Sequence, residues 1–151
     1  MLRFSARKLV AAAAMLLLAV AAPAAAQVPD PFARQLAVAL AHVEVDLAAQ
    51  GYHRAAGPFV GGLAQGDGRR FEITLRALQD YRFLGVCDAR CGALDLRLYD
   101  MNNDLVGEYA LDDSEPTFSV RPRMTGVHTA EVTMSECAAA SCFYAVNVYS
   151  R

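Results

Sequence analysis

Four cysteines carry the most specific chemistry in the chain: Cys87 and Cys91 in a C-x3-C spacing, and Cys137 and Cys142 in a C-x4-C spacing. Four thiolates can hold zinc, but such sites commonly use tighter knuckles and a reducing compartment. A redox pair would need C-x-x-C ahead of a helix. An even count in an oxidising compartment points to structural disulfides. Of the three connectivities, the local one, Cys87–Cys91 and Cys137–Cys142, is expected. Each of these pairs brackets turn-forming residues, Asp88-Ala89-Arg90 and Ala138 to Ser141, between strand-like runs. Loops that short remove little entropy from the unfolded chain, so their expected role is to pin a turn.

The run Asp100-Met101-Asn102-Asn103-Asp104 opens like a D-x-N-x-D calcium loop. The EF-hand form then needs Gly at position six and Glu at position twelve, where Leu105 and Leu111 stand. Asn and Asp also build hairpin turns by bonding their own main chain, and a turn is the expected role. For nucleophilic catalysis the candidates are Ser114, Ser119, Ser135, Ser141 and Ser150 with His42, His53 and His128. No nucleophile elbow, zinc-protease helix, phosphate-cradling loop or dinucleotide fingerprint organises them. His128 alternates with Ala130, Val132 and Met134, which reads as a bonded core histidine. No pair of acids is singled out for glycosidase work, so no catalytic residue is assigned and no enzyme is expected. The aromatic set Tyr81, Phe83, Tyr99, Tyr109, Phe118, Phe143, Tyr144 and Tyr149 would expose about half its members by alternation. An outward row would make a sugar-binding face, although cross-strand aromatic pairs are common without a ligand.

The compartment follows from residues 1–26. Arg3, Arg7 and Lys8 precede an apolar run from Leu9 to Ala22, and Pro23-Ala24-Ala25-Ala26 supplies small residues for cleavage. This is the pattern of a secretory signal peptide, with cleavage expected after Ala26 and a periplasmic or secreted destination. Gln27, not a cysteine, follows that site, so no lipid anchor is expected. The leader holds three of the 14 basic residues and none of the 16 acidic ones. The remaining 125 residues therefore carry 11 arginines, no lysine and a formal charge of −5. That balance, without a basic run, argues against nucleic-acid binding. No second long apolar segment suggests a membrane span.

The elements that must position these groups begin with a helix over residues 27–51. Asp30 is expected as its cap and Pro31 as its first residue, and Gly51 as its stop. Phe32, Leu36, Leu40, Val43 and Leu47 form one apolar stripe, the mark of an amphipathic helix. The stripe must pack on the chain's own sheet or dock a partner, which makes these five the candidate partner-binding residues. Val38, Ala41, Val45 and Ala48 lie on the reverse face. Residues 52–151 read as one all-β domain. Its expected strands are Phe59–Leu63, Phe71–Ala77, Tyr81–Cys87, Leu94–Tyr99, Leu105–Leu111, Thr117–Arg121, Val127–Met134 and Cys142–Tyr149. Seven or eight short alternating strands with turns between them make an antiparallel, jelly-roll-like β-sandwich the expected fold.

The segment Leu94-Asp95-Leu96-Arg97-Leu98-Tyr99-Asp100, then Asn102-Asn103-Asp104-Leu105-Val106 and Asp112-Asp113, then Thr125-Gly126-Val127-His128 leading into Val132 resembles the bacterial pre-peptidase C-terminal domain. The likeness covers Phe71 to Arg151. It departs from that family's pattern in having no preceding enzyme, His128 where Tyr is usual, and the two cysteine pairs. The resemblance implies a β-sandwich with an accessory role rather than catalysis. Because some relatives in that family bind calcium, it also implies a weak candidate site in which Asp100, Asn102 and Asp104 recruit Asp88, Asp112 or Asp113.

The sequence thus reads as a non-catalytic exported module that binds an unidentified protein or envelope component, without a cofactor. The alternative is a calcium-dependent or aromatic-face binder of carbohydrate or another small ligand.

Overall fold

Period-two alternation buries one face of a strand only if a second layer covers it. The computed structural model, which describes residues 28–151, supplies that layer. Its elements are α1 (Asp30–Ala49), β1 (His53–Leu63), β2 (Gly68–Leu75), β3 (Tyr81–Cys87), β4 (Cys91–Tyr99), β5 (Leu105–Tyr109), β6 (Thr117–Val120), β7 (Gly126–Cys137) and β8 (Cys142–Ser150). The expected leader lies outside the described residues.

Two four-stranded antiparallel sheets form, β1-β8-β3-β6 and β2-β7-β4-β5. The pairings β1–β8, β2–β7, β3–β6 and β4–β5 nest inside one another, as if one long hairpin had been rolled up. That is a jelly roll. Val132, Met134, Leu96, Leu98, Val146 and Val148 are among the fully buried residues between the sheets. Phe59 of β1 stacks on Phe71 of β2, with centroids 4.0 Å apart, and closes one open side. On the other side Phe118 of β6 lies against Gly107 of β5, where an added Cβ would come within 2.5 Å of its ring.

The helical stripe is seated on the sandwich. Leu36, Leu40 and Leu47 are buried against Tyr52, Leu84, Val86, Ala145 and Tyr149, with Val43 half-buried beside them. Phe32 packs on Phe143 with centroids 4.9 Å apart. The five candidate partner-binding residues therefore form an internal contact, not a free docking surface. The reverse face is the exposed one, with Val38 71% and Val45 70% exposed.

Local boundaries differ from expectation for identifiable reasons. Asp30 lies within the first turn and makes no capping bond; Pro29 precedes the helix, and its carbonyl accepts from the N–H groups of Phe32 and Ala33 at 3.0 Å. Gly51 ends the helix at φ +82°, which favours glycine. Strand β1 starts six residues before the expected Phe59, because its small residues Ala55, Ala56 and Gly57 hide the alternation while pairing with β8 supplies the hydrogen bonds. Strand β5 ends at Tyr109, before Leu111.

Replacing Leu47, 2% exposed, by Ala is expected to cost about 2–4 kcal/mol in urea denaturation. Val38→Ala should stay within about 0.5 kcal/mol.

Candidate functional site

The two ends of the sandwich differ in kind. At one end the turn between β3 and β4 is closed by the disulfide Cys87–Cys91, and the turn between β7 and β8 by Cys137–Cys142, with Cα separations of 5.9 and 5.8 Å. Cys91 and Cys137 are also register partners, so the two cross-links stand side by side. Both are the expected local pairs.

Asp88, 1% exposed, organises this cystine end. Its Oδ1 accepts from the Arg90 backbone N–H and Nε at 2.9 Å, and its Oδ2 from Arg90 Nη2 at 2.9 Å and the Phe143 N–H at 2.6 Å. Burial pushes the carboxyl upward, but the Arg90 hydrogen bond and the two backbone donors outweigh it and hold the group below its usual range. The Arg90 guanidinium in turn lies 4.0 Å over the Phe32 ring, tying this turn to the start of α1. Asp88 is thus a structural carboxylate rather than a calcium candidate.

The calcium candidates are not brought together. Asp100, Asn102 and Asp104 lie beyond the last residue of β4, whereas Asp88 precedes its first, and Asp113 accepts from the Leu94 N–H near that first end through its carbonyl at 2.9 Å. The nine residues of β4 set Asp88 about 30 Å from Asp100, and the six residue steps from Leu94 to Asp100 set Asp113 about 20 Å from it. Asp100 Oδ1 accepts from the backbone N–H groups of Asn102 at 2.8 Å and Asp104 at 3.0 Å, which is the turn-forming arrangement. Asp113 accepts from the Tyr109 hydroxyl and the Glu115 N–H; Asp112 is exposed beside it. Among the described residues no group of three or more His, Cys, Asp or Glu is arranged to hold a metal ion.

The opposite end is open. The connections β2–β3, β4–β5 and β6–β7 meet there, because Leu75 pairs with Gly126, Tyr99 with Thr129 and Tyr81 with Val120. A cleft of about 420 Å³ lies between the β4–β5 and β6–β7 connections, with Met101, Val106 and Met124 on its apolar walls, Asp100 and Asp104 on one loop, and Arg121 and Arg123 on another. His128, 4% exposed, lies in its floor and contacts the Gly126 carbonyl through Nδ1 at 3.1 Å, as a bonded core histidine should. Leu78 lies beside the cleft, its N–H donating to the Pro122 carbonyl at 2.8 Å.

One serine–histidine contact forms that spacing alone did not select: Ser150 Oγ and His53 Nε2 are 3.2 Å apart. They come together because the start of β1 pairs with the end of β8. None of the eight aromatic residues is exposed, so they form no solvent-facing row. The outer face of β2-β7-β4-β5 instead carries a charge ladder across all four strands. Arg70 pairs with Glu131, Glu131 with Arg97, and Arg97 with Glu108.

Under the helix lies a polar cluster that sequence reasoning missed, since Asn147 sits inside an apolar run. Glu44 Oε1 accepts from Asn147 Nδ2 at 3.2 Å and from the Tyr149 hydroxyl at 3.0 Å, and Arg54 Nη1 approaches it at 3.6 Å. Asn147 Nδ2 also donates to the Tyr149 hydroxyl at 2.9 Å, while its Oδ1 has no partner. Burial, against an opposing hydrogen bond from Asn147 and reinforced by Glu44, pushes the Tyr149 phenol up to about 12.

No family model matches the chain, and no curated protein matches it. Among solved structures it is similar to PliG of Aeromonas hydrophila, a periplasmic lysozyme inhibitor of g-type lysozyme, at 11% identity and a TM-score of 0.48. The match covers 68% of this chain and 90% of that one.

Two titrations follow. Because the folded chain holds Asp88 ionised to lower pH than the unfolded chain does, its contribution is complete above about pH 4 and lost as pH falls through the folded value. Asp88→Asn should therefore lower stability at pH 7 by about 2–3 kcal/mol and flatten the acid limb of stability against pH, read by urea melts. Tyr149 has the opposite sign: the fold favours the protonated phenol, so stability declines from about pH 10 to about pH 12. Tyr149→Phe should remove that alkaline decline while lowering stability at pH 7 by about 1 kcal/mol.

Proposed function

We propose that the protein is a non-catalytic exported module that binds a macromolecular partner of the cell envelope through the open end of its sandwich. One observation carries this reading. Of the ten large apolar side chains that are exposed among the described residues, six gather on or beside the three loops of that end: Leu78, Met101, Leu105, Val106, Met124 and Val127. Singly scattered apolar side chains need no explanation, but Met101, Val106 and Met124 line one cleft, and an apolar group rimmed by polar residues marks an interaction site. Methionine adapts to a partner's shape, and Met and Arg are enriched at interfaces. Arg121 and Arg123 supply the rim.

The disulfides at the far end support an oxidising compartment, and no described helix is long and apolar enough to cross a membrane. The resemblance to pre-peptidase C-terminal domains points the same way, toward an accessory role. The buried or half-buried state of the aromatic set favours a macromolecular partner over a sugar-binding aromatic face.

The test is affinity capture from periplasmic extract with tagged protein. A stoichiometric partner retained by the wild type and by Val38→Asp/Val45→Asp should be recovered at least tenfold less with Met101→Asp/Met124→Asp. Equal recovery by all three proteins overturns the reading.

A further inference from the structure

Position 126 is glycine for want of space. Gly126 does not take a positive φ, so its backbone makes no demand for glycine; the Met101 side chain does. A Cβ built there would strike the Met101 sulfur, with Cγ and Cε each 3.1 Å away. The carbonyl of the same residue meets His128 Nδ1 at 3.1 Å. A thioether and an imidazole are thus both seated on Gly126, and Met124, two residues earlier, lines the same open-end cleft. Met101 and Met124 are 52% and 56% exposed, whereas Met134 lies in the core, so both surface methionines of the described chain are at this cleft.

His128 supplies the third donor. A carbonyl only accepts, so Nδ1 carries the ring proton and Nε2 bears the lone pair of the neutral imidazole. The side chain is 4% exposed, and among the described residues Nε2 makes no hydrogen bond. Asn147 Oδ1 is the one side-chain nitrogen or oxygen of those residues that is sealed from solvent without a partner. Nε2 therefore opens onto the cleft whose floor the ring forms. A backbone carbonyl that holds one ring nitrogen and leaves the other bare is the usual setting of a metal-binding histidine.

Two thioethers and an imidazole are neutral donors, and thioethers select soft Cu(I) over the hard cations that oxygen ligands hold. The charged groups at the cleft do not favour a hard dication. Asp100 and Asp104 are matched by Arg121 and Arg123, and Asp100 Oδ1 is already engaged by the N–H groups of Asn102 and Asp104. All four cysteines are closed in disulfides, so no thiolate competes for a soft ion elsewhere in the chain. We propose that Met101 Sδ, Met124 Sδ and His128 Nε2 bind one Cu(I) ion in the open-end cleft. The site shares its loops with the proposed partner surface but does not rest on that reading: copper binding is measured on the protein alone, so either can fail without the other.

The test is an anaerobic titration of the exported protein with Cu(I) in competition with ferrozine, a weak Cu(I) chelator, with ascorbate as reductant so that the disulfides stay closed. Saturable one-to-one binding is expected, and an excess of Zn²⁺ should not displace the copper. Met101→Leu and Met124→Leu, both at exposed positions, should each weaken binding at least tenfold with an unchanged circular dichroism spectrum. Because His128 is buried, its part is read in the unaltered chain by nuclear magnetic resonance. Cu(I) should shift the His128 Nε2 signal and the methyl signals of Met101 and Met124, and leave the methyl of Met134 where it was. Absence of saturable binding, binding indifferent to both leucine variants, or copper-dependent shifts at His42 or His53 in place of His128 each overturns the proposal.

Discussion

The outer face of the β1-β8-β3-β6 sheet cannot be left to water. Its middle strands present Leu84, Val86, Ala145 and Tyr149 on the side away from the sandwich core, and all four are buried only because α1 lies over them. β8 is consequently enclosed twice, with Tyr144, Val146 and Val148 between the sheets and Ala145, Asn147 and Tyr149 under the helix. A doubly covered strand reads as a continuous apolar run rather than an alternating one, which is what Cys142 to Tyr149 shows. The helix is therefore a third layer of the fold. Its absence would expose a contiguous apolar surface of the kind that drives association.

The rolled-hairpin topology distributes rigidity unevenly. β3 to β4 and β7 to β8 cross between sheets in three and four residues, over a layer spacing of about 10 Å. Those are the two crossings the disulfides close, and Asp88 fastens the first of them to β8, the strand into which the second leads, through the Phe143 N–H. The opposite end has no such cross-link among the described residues, and its three loops carry the exposed Leu78, Met101 and Met124. A rigid far end with adaptable loops at the near end is how scaffolds hold binding residues.

Much of this was legible in the residue pattern. The amphipathic stripe, seven strands close to their observed bounds and the local cysteine pairs each leave a periodic or spacing signal. β1 left little, because alanine and glycine do not alternate in hydrophobicity and its pairing with β8 lies about ninety residues away in sequence. Asp88 looked like any turn aspartate, since nothing local shows that the Phe143 N–H needs it. The D-x-N-x-D run was ambiguous in kind: its Asx-turn bonds and a calcium loop use the same residues. The destination of the helical stripe could not be read either, because periodicity identifies an apolar face without saying what meets it.

Apolar packing alone does not fix where α1 stops along its axis. Leu36, Leu40 and Leu47 would find apolar contacts after a slide of one turn, about 5.4 Å. The Tyr149 hydroxyl would lose its acceptor Glu44 Oε1, and Asn147 Nδ2 would keep only its bond to that hydroxyl; a buried donor without a partner costs about 1–3 kcal/mol. The polar cluster thus sets the helix's register where the leucines set its affinity for the sheet. The same register places Ala33 and Ala37 opposite Pro58 and Val60 across a groove of about 670 Å³, since the helix packs on β3 and β8 rather than on β1. A helix seated one turn further along would bring different side chains to that wall. The groove and the Glu44 cluster are in this sense one feature: the contact that locks the helix also shapes the space beside it.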